Sequence, residues 1–132
     1  MPFFPNSTYR TPTPKLLYYY LMKVVVQIPC LNEESTLGLV LDSIPKSIPG
    51  VELDILVIDD GSSDSTVEVA KKHGVKHFVL HRTNMGLARS FQDGVNYALS
   101  IGADILVNTD GDNQYPQAMI PELIKPIMDE KA

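Results

Sequence analysis

In residues 104–116 the chain reads DILVNTDGDNQYP, in which an apolar run is followed, after Asn108 and Thr109, by two acids. The run Ile105-Leu106-Val107 is typical of a buried strand, which places Asp110 and Asp112 at the carboxyl end of that strand. Ligands of open α/β sheets bind at this edge of the sheet. We therefore expect the rest of the chain to build a parallel sheet that presents these carboxylates.

The two carboxylates are separated by Gly111 and can both turn toward one hard cation, which prefers oxygen ligands and usually keeps waters or ligand phosphates in its shell. The same residue types are favoured in ordinary turns, so this segment alone leaves a cation site and a plain turn open. A calcium loop of the EF-hand type is excluded. Its sixth and twelfth positions require Gly and Glu, but they are Tyr115 and Pro121 here.

The composition describes one ordinary globular domain. Of the 132 residues, 44% are hydrophobic and 20% are charged, which is enough for a moderate core. The formal net charge of −5 argues against a nucleic-acid surface, because such a surface needs clustered Lys and Arg. An anionic ligand must therefore be met locally, by a metal, by helix N-termini or by a few cations.

The single cysteine, Cys30, excludes an internal disulfide, and its apolar context predicts a buried thiol rather than a nucleophile. No apolar run approaches the roughly 18 residues of a membrane span. Residues 1–21 contain four prolines and no periodic pattern, and we interpret them as a flexible leader. The apolar-aromatic run 16–21 leaves open an attachment to a membrane surface or to a partner. We expect a cytoplasmic protein, with the cytoplasmic face of a membrane as the alternative.

Four apolar strands are predicted, at residues 24–28, 53–58, 75–80 and 104–108, and a helical pattern follows each of them. Pro29 is expected to stop the first strand. Alternating strands and helices imply parallel strands with right-handed crossovers. The predicted fold class is therefore α/β, a Rossmann-like three-layer α/β/α arrangement with a mostly parallel sheet.

Apolar residues at helical spacing predict the buried face of three of the four helices. These residues are Leu37, Val40, Leu41 and Ile44 in the first helix, Leu87, Phe91, Val95 and Ala98 in the third, and Ile120, Leu123, Ile124 and Ile127 in the last. Asn32 is predicted to cap the first helix, and the segment 65–68, STVE, is predicted to form a capping box at the second. Pro126 is expected to kink or shorten the last helix.

Three acidic loops should meet at one edge of such a sheet, namely 29–34 after the first strand, 59–63 after the second and 110–114 after the fourth. Their carboxylates would repel one another and raise each other's pKa. A divalent cation removes most of this repulsion at Asp110 and Asp112, whereas a base N–H or a ribose hydroxyl suits Asp59 or Asp60. The acids therefore divide between a metal and a nucleoside.

Three histidines, His73, His77 and His81, recur at every fourth position. This run crosses from a helix end into a strand, so the three imidazoles would not share a face. We do not expect a histidine metal site.

Four segments resemble the successive motifs of family 2 glycosyltransferases, in the order and spacing of that family from about Lys23 onward. They are VVQIPCLNEE at 25–34, VIDDGSSDST at 57–66, NMGLAR at 84–89 and DGDNQYP at 110–116. The similarity is greatest to the branch of dolichyl-phosphate mannose synthase-like and polyisoprenyl-phosphate sugar transferases. The resemblance implies a hexosyltransferase whose residues 22–132 form the nucleotide-sugar-binding half of a GT-A fold.

The resemblance also implies roles for individual residues. Those expected to hold the base and ribose are Pro29, Leu31, Glu33, Asp59 and Asp60. Asp110 and Asp112, with Gln114, would hold Mg²⁺ or Mn²⁺ that bridges the donor diphosphate. Arg89 would assist the phosphates, although a solvated helix residue is an equally open interpretation.

By resemblance, the reaction is direct displacement at the anomeric carbon of the sugar by an acceptor oxygen. The acceptor would be a polyisoprenyl phosphate or a glycan. The strands that build the acceptor site in this family, and its acidic base, would lie beyond Ala132. We therefore expect a truncated donor-binding part that binds nucleotide but transfers sugar poorly or not at all.

Two other functions remain open. A nucleotidyltransferase also pairs a metal with an acid at a strand end, but it usually has a Gly-rich basic loop where this chain has PCLNEE, residues 29–34. A non-catalytic nucleotide-binding or interaction module is the second alternative. An uncovered sheet edge would favour self-association of such a module.

Overall fold

The structure is a computed structural model that describes residues 21–131. The strands are β1 (Met22–Cys30), β2 (Val51–Asp59), β3 (His77–Leu80) and β4 (Ile105–Asn108), and the helices are α1 (Leu37–Ser43), α2 (Thr66–Lys72), α3 (Leu87–Ser100) and α4 (Ile120–Lys131). A 3-10 turn, Gln117–Met119, leads directly into α4. The predicted leader lies outside the described residues, except for Leu21 at its end.

The four strands form one parallel sheet in the order β3-β2-β1-β4. The chain moves in one direction from β1 to β3 and then returns to pair β4 with the other side of β1. Because crossovers between parallel strands are right-handed, this reversal sends α1 and α2 to one face and α3 to the other. The order of the strands thus reverses between β1 and β4, the place where open α/β sheets bind ligands.

The apolar core lies in two layers, one on each face of the sheet. Val24, Val26 and Ile28 of β1 pack with α1, α2 and α4 on one face. Val25 packs on the other face with Ala98 of α3, and Leu56 and Ile58 of β2 complete that smaller cluster. The alternation along β1 is that of a strand covered on both sides. The predicted three-layer α/β fold is confirmed.

Strands β1 and β2 extend beyond their predicted bounds, and β1 continues through Pro29 to Cys30. The prediction that Pro29 stops the strand is wrong. Gln27 accepts a hydrogen bond from the N–H of Thr109, beyond β4, whereas Cys30 accepts one from Asp60, beyond β2. Alternate residues face the same neighbour, so Pro29 faces the β4 side, where pairing has already ended at Gln27. Its missing N–H therefore costs no ladder hydrogen bond. At β3 the strand is shorter than predicted and begins at His77.

The buried face of α1 is the predicted one, with Leu37, Val40 and Leu41 buried and Ile44 just beyond the helix. Of the face predicted for α3, Ala98 is buried and Val95 is half-buried, but Leu87 and Phe91 are not buried. Leu87 is 70% exposed and Phe91 is 45% exposed, while the residues that turn toward the sheet are small: Ser90, Gly94 and Ala98. A Cβ atom on Gly94 would overlap the side chain of Gln27. Close approach to the sheet, rather than hydrophobicity, selects this face.

Helix α4 buries Ile120 and Ile124, but Leu123 and Ile127 of the predicted stripe are exposed. Pro126 does not shorten the helix, which continues to Lys131. Pro126 and Glu122, the residue four positions earlier, are both exposed. The carbonyl group of Glu122, which loses its helical donor at a proline, therefore lies on the solvated side of the helix.

Neither predicted helix cap forms. The N-cap of α1 is Thr36, and Asn32 adopts a left-handed conformation with φ 54° and accepts a hydrogen bond from the N–H of Ser63. Ser65 makes no side-chain cap on α2, where Oδ1 of Asp64 accepts from the N–H of Thr66 instead. Short polar side chains compete for backbone donors in loops as readily as at helix ends. Asn32 consequently ties the loop after β1 to the loop after β2.

Candidate functional site

A cleft of about 310 Å³ opens at the carboxyl edge of the sheet, where the strand order reverses. The end of β1 contributes Pro29 and Cys30 to its lining, and the loop after β1 contributes Leu31 and Glu33. The segment after β4 contributes Asp110, Gly111 and Asp112. The remaining lining residues are Asp60, Asn84, Gly86, Leu87 and Ser90. Four separate segments of the chain therefore meet in one cavity.

Most of the residues predicted from the motifs line this cleft. They are Pro29, Leu31, Glu33, Asp60, Asp110 and Asp112. Asp59, Gln114 and Arg89 are not among the lining residues. Asp59 is buried, with one carboxylate oxygen 3.3 Å from the N–H of Ser62, and the N–H of Gln114 donates to Asp112.

Arg89 points along its own helix rather than into the cleft. Its Nε lies 3.0 Å from both carboxylate oxygens of Asp93, one helical turn later. This pairing corresponds to the solvated-residue interpretation of Arg89.

The loops after β1 and β4 are in direct contact. The hydroxyl of Thr36 donates a hydrogen bond of 2.6 Å to the carbonyl oxygen of Gly111. A Cβ atom on Gly111 would lie 3.0 Å from Sγ of Cys30 and 3.3 Å from Cγ of Glu33. A larger residue between the two acids would therefore have to displace the side chain of Cys30 or Glu33.

The acidic side of the cleft carries unbalanced negative charge. Burial raises the pKa of Glu33 above its usual value, and the neighbouring carboxylates of Asp112 and Asp110 raise it further. A hydrogen bond with Thr36 opposes this shift. Gly111, between Asp110 and Asp112, lies against Glu33, since a Cβ atom on it would be 3.3 Å from Cγ of Glu33, so the three carboxylates are neighbours that repel one another.

These carboxylates fit a divalent cation that is shared with a ligand. Among the described residues, no three His, Cys, Asp or Glu side chains are grouped so as to hold a metal by themselves. Asp110 and Asp112 supply two oxygen-bearing side chains, and Mg²⁺ typically combines one or two carboxylates with waters and substrate phosphates. The negative potential that raises the pKa of Glu33 is what such a cation would neutralise.

Asp60 is held from three directions. Its Oδ1 accepts hydrogen bonds from Nδ1 of His81 and from the N–H of Met85, both at 2.8 Å, and its Oδ2 accepts from the N–H of Gly86 at 3.0 Å. Burial would raise the pKa of Asp60, but these three donors outweigh it and hold the pKa below its usual value. Asp60 thus fixes the loop that leads into α3.

His81 joins two carboxylates and was not predicted as a site residue. Its Nε2 lies 2.8 Å from Oδ2 of Asp93, and its side chain is 6% exposed. The hydrogen bond with Asp60 raises the pKa of His81 above its usual value against the opposing effect of burial, and Asp93 adds to the increase. With Arg89 on Asp93, the series Asp60, His81, Asp93, Arg89 alternates in charge. A histidine directly after β3, one strand from the acids that follow β2, was the available signal in the sequence.

The other two histidines lie outside this arrangement, and the cysteine is not suited to nucleophilic chemistry. His73 pairs with Asp42, and Nδ1 of His77 lies 3.0 Å from the hydroxyl of Tyr97. Cys30 is buried as predicted, and burial, followed by the nearby acids, raises the pKa of its thiol far above the usual value. The thiolate needed for nucleophilic chemistry is therefore disfavoured. Within residues 21–131, no helix combines the length and apolar character needed to cross a bilayer.

Residues 25–132 match the family model described as "Glycosyl transferase family 2". The chain is 34% identical over 110 residues to the undecaprenyl-phosphate mannosyltransferase of Micrococcus luteus, a match that covers 80% of this chain and 44% of the relative. It is 36% identical over 109 residues to the dolichol-phosphate mannosyltransferase of Pyrococcus furiosus, covering 80% of this chain and 30% of the relative.

Among solved structures, the chain is similar to glucosyl-3-phosphoglycerate synthase from Mycobacterium tuberculosis in complex with Mn²⁺, UDP and glucosyl-3-phosphoglycerate. The TM-score is 0.63 and the identity 28%, over 91% of this chain and 46% of that one. The predicted GT-A type of fold is confirmed by this similarity. The chain spans less than half the length of each of these three proteins.

Proposed function

Because this chain belongs to glycosyl transferase family 2, we propose that it binds the nucleoside-diphosphate sugar of a glycosyltransferase through a divalent metal. The proposed acceptor is a polyisoprenyl phosphate or a glycan. The names of the relatives from M. luteus and P. furiosus support a polyprenyl-phosphate acceptor, and the UDP in the mycobacterial synthase supports a nucleoside diphosphate as donor.

The observation that carries the proposal is the meeting of the loops after β1 and β4 in one cleft. Pro29 and Leu31 give one wall an apolar surface suited to a base, while Asp110 and Asp112 line the same cavity. The cleft lies where α/β sheets with reversed strand order bind nucleotides. A ligand that has a flat apolar base and a metal-bound diphosphate would match the apolar wall and the acidic side of this cleft.

The residues of the cleft act in different ways under this proposal. Glu33 lines the cavity and offers an acceptor to a base N–H or a ribose hydroxyl. Asp60 also lines it, but its oxygens are largely occupied by His81, Met85 and Gly86, so its main effect is to hold the wall in place. Asp59 accepts from the N–H of Ser62 and Arg89 pairs with Asp93, and neither residue lines the cavity.

Asp110 and Asp112, with Gln114 beside them, would hold Mg²⁺ or Mn²⁺. When bound, the cation neutralises charge on the departing diphosphate. Under this proposal, the described residues bind the diphosphate that leaves in the reaction. The hydrogen bond from Thr36 to Gly111 fixes the loop that carries the two acids. Attack by an acceptor oxygen on the anomeric carbon, with departure of the nucleoside diphosphate, completes the proposed reaction in the longer proteins of this family.

Isothermal titration calorimetry of the 132-residue chain with UDP and with GDP, with Mn²⁺ and then with EDTA, tests the proposal. We expect Mn²⁺ to strengthen binding of at least one nucleotide. We expect Asp112→Asn to weaken that binding tenfold or more, since loss of even an outer-shell partner of a metal ligand costs on the order of 10- to 100-fold. Asp129→Asn, on the exposed side of α4, is the matched control. The proposal would be overturned if Asp112→Asn bound the nucleotide in Mn²⁺ with the affinity of the wild type, or if neither nucleotide showed metal-dependent binding.

A further inference from the structure

Ser90 has an unexplained hydroxyl in the wall of the cleft. The residue lies in the first turn of α3, lines the cavity and is 1% exposed. Its Oγ has no hydrogen-bond partner among the described residues. Buried polar side chains in native proteins are nearly always paired with protein or with ordered water, so an unpaired one that faces a cavity is available to a water molecule or to a ligand group in the cavity.

The same wall contains the uncapped N-terminus of α3. The N-cap residue is Gly86, with φ 98°, and no side chain caps the helix. The N–H of Ser90 donates to the carbonyl of Gly86, which leaves the three preceding amides, of residues 87–89, without helical acceptors. Gly86 and Leu87 line the cleft, so this end of the helix opens into it. Free amides and the helix dipole together favour an anion.

Asp60 lies beside this helix end, but it does not satisfy the free amides. Its oxygens accept from the N–H groups of Met85 and Gly86, which precede the helix. Its charge is matched by His81, which bridges to Asp93. An anion at the helix end therefore meets a paired carboxylate rather than an isolated one.

We propose that the Ser90 hydroxyl and the first-turn amides of α3 form a subsite for a phosphate group of the donor diphosphate. This inference rests on the proposed function and adds residues that hold the phosphate without metal. Among the described residues that line the cleft, none is Lys or Arg, while four are Glu or Asp. Neutral donors are consequently what the protein itself offers to phosphate oxygens there.

The test uses inorganic pyrophosphate as the probe, in EDTA so that Asp110 and Asp112 cannot act through a cation. Titration calorimetry compares the wild-type chain with Ser90→Ala and with the control Ser100→Ala. Ser100 lies on the same helix and is exposed, and its hydroxyl donates a hydrogen bond to the carbonyl oxygen of Tyr97. We expect Ser90→Ala to weaken pyrophosphate binding about tenfold, as for a hydrogen bond to a charged group, and Ser100→Ala to remain within about twofold.

The thermal unfolding of the free proteins separates this role from a structural one. Ser90→Ala breaks no hydrogen bond within the described residues, so its Tm should equal or exceed that of the wild type. Ser90→Cys is a second variant, in which the side chain keeps a similar volume but has a weaker donor. It should also lose affinity for pyrophosphate, and it replaces Ser90→Ala in the test if alanine disturbs the helix. Unchanged pyrophosphate affinity in folded Ser90 variants, or no metal-free binding by the wild type, would overturn the inference.

Outcomes for the subsite and for the proposed function are distinguishable. If Asp112→Asn abolishes Mn²⁺-dependent nucleotide binding while the Ser90 variants bind pyrophosphate normally, the proposed function stands and the subsite does not. If the Ser90 variants lose pyrophosphate binding but no nucleotide binds with Mn²⁺, the protein has a phosphate site and the donor role is wrong.

Discussion

The Nδ1 atom of His81 lies 2.8 Å from Oδ1 of Asp60, the acid that fixes the entrance to α3. Because Nε2 of the same ring contacts Asp93, both ring nitrogens face acceptors, and both can donate only in the imidazolium form. His81 thereby connects the end of β3 with a wall of the cleft.

Replacing His81 should destabilise the fold more than replacing an exposed histidine. His81→Phe removes the donor to Asp60 and leaves that buried carboxylate with two backbone donors. Hydrogen bonds to charged groups contribute roughly 1.5–3 kcal/mol, so we expect a loss of about 2 kcal/mol. Urea unfolding at pH 6 measures the difference. His73→Phe, which removes a surface pair with Asp42, is the control and should cost less than about 1 kcal/mol. Equal losses in the two variants would contradict this role.

The same contact gives stability a defined pH dependence. The pKa of His81 is raised, so its contribution is complete below its unfolded value, about 6.5, and is lost as pH rises through the higher folded value. The pKa values of Asp60 and Asp93 are lowered, so their contribution is present above about 3.8 and is lost as pH falls through the lower folded values. The group therefore stabilises most between about pH 4 and pH 6.5.

His81→Gln should abolish the decline on the alkaline side of this window. The measurement is the free energy of unfolding between pH 5 and pH 9 for both proteins, taken from urea titrations. The difference between wild type and variant should shrink as pH rises. A difference that stays constant over this range would show that His81 does not titrate in contact with the two acids.

Glycine at position 94 should be required for packing, whereas glycine at position 38 should not. A Cβ atom on Gly94 would overlap the amide of Gln27, which is buried and donates to Asn108. At Gly38 the atom would lie 2.9 Å from the ring of His73, a partly exposed side chain that can move.

We expect Gly94→Ala to destabilise by about 1–3 kcal/mol through overpacking. Gly38→Ala should be neutral or stabilising, since alanine is favoured over glycine in helices by about 1 kcal/mol. Thermal and urea unfolding of both variants measure the contrast. A Gly94→Ala protein as stable as wild type would refute the close approach of α3 to β1.

The hydroxyl of Thr36 should matter for metal-dependent binding. Thr36→Val keeps the volume of the side chain but removes the donor to the Gly111 carbonyl, which lies between the two acids of the cleft. We expect a stability loss of about 1 kcal/mol and a several-fold weaker Mn²⁺-dependent nucleotide affinity, measured by calorimetry. Thr83→Val, at an exposed threonine, serves as control. Wild-type affinity in Thr36→Val would show that the loop holds its shape without this bond.

Self-association of the chain stays a prediction, and we expect it to involve the apolar surface beside β4. Within residues 21–131, β4 pairs on one side only. Next to it, Leu87 and Phe91 are exposed and line a shallow cavity with Asn108 and Asp110. We expect sedimentation velocity to show concentration-dependent association that the double variant Leu87→Ser, Phe91→Ser reduces. Leu99→Ser, which removes another exposed leucine of α3, should change nothing. A wild-type chain that stays monomeric at every concentration would refute the prediction.

The sequence predicts the parts of this protein that depend on local pattern. Apolar runs locate the four strands, and their order brings Glu33, Asp110 and Asp112 to one edge of the sheet. The contact of His81 with Asp60 was missed because it depends on the register of β3 against β2, which no spacing within the chain reveals. The burial of Gly94 in α3 was missed because this residue is selected by steric fit against Gln27, whereas a periodicity argument counts only hydrophobicity.

The reversal of strand order between β1 and β4 has a kinetic consequence. The side chains of Gln27 and Asn108, which join these two strands, are 81 positions apart in the sequence. Contacts between distant segments form slowly because a long loop must close first. The cleft is complete only after β4 has paired with β1, so ligand binding should appear no earlier than the refolding phase in which this pairing forms. A nucleotide that binds there would then act as a folding aid, since it stabilises the chain only after β4 has joined the sheet.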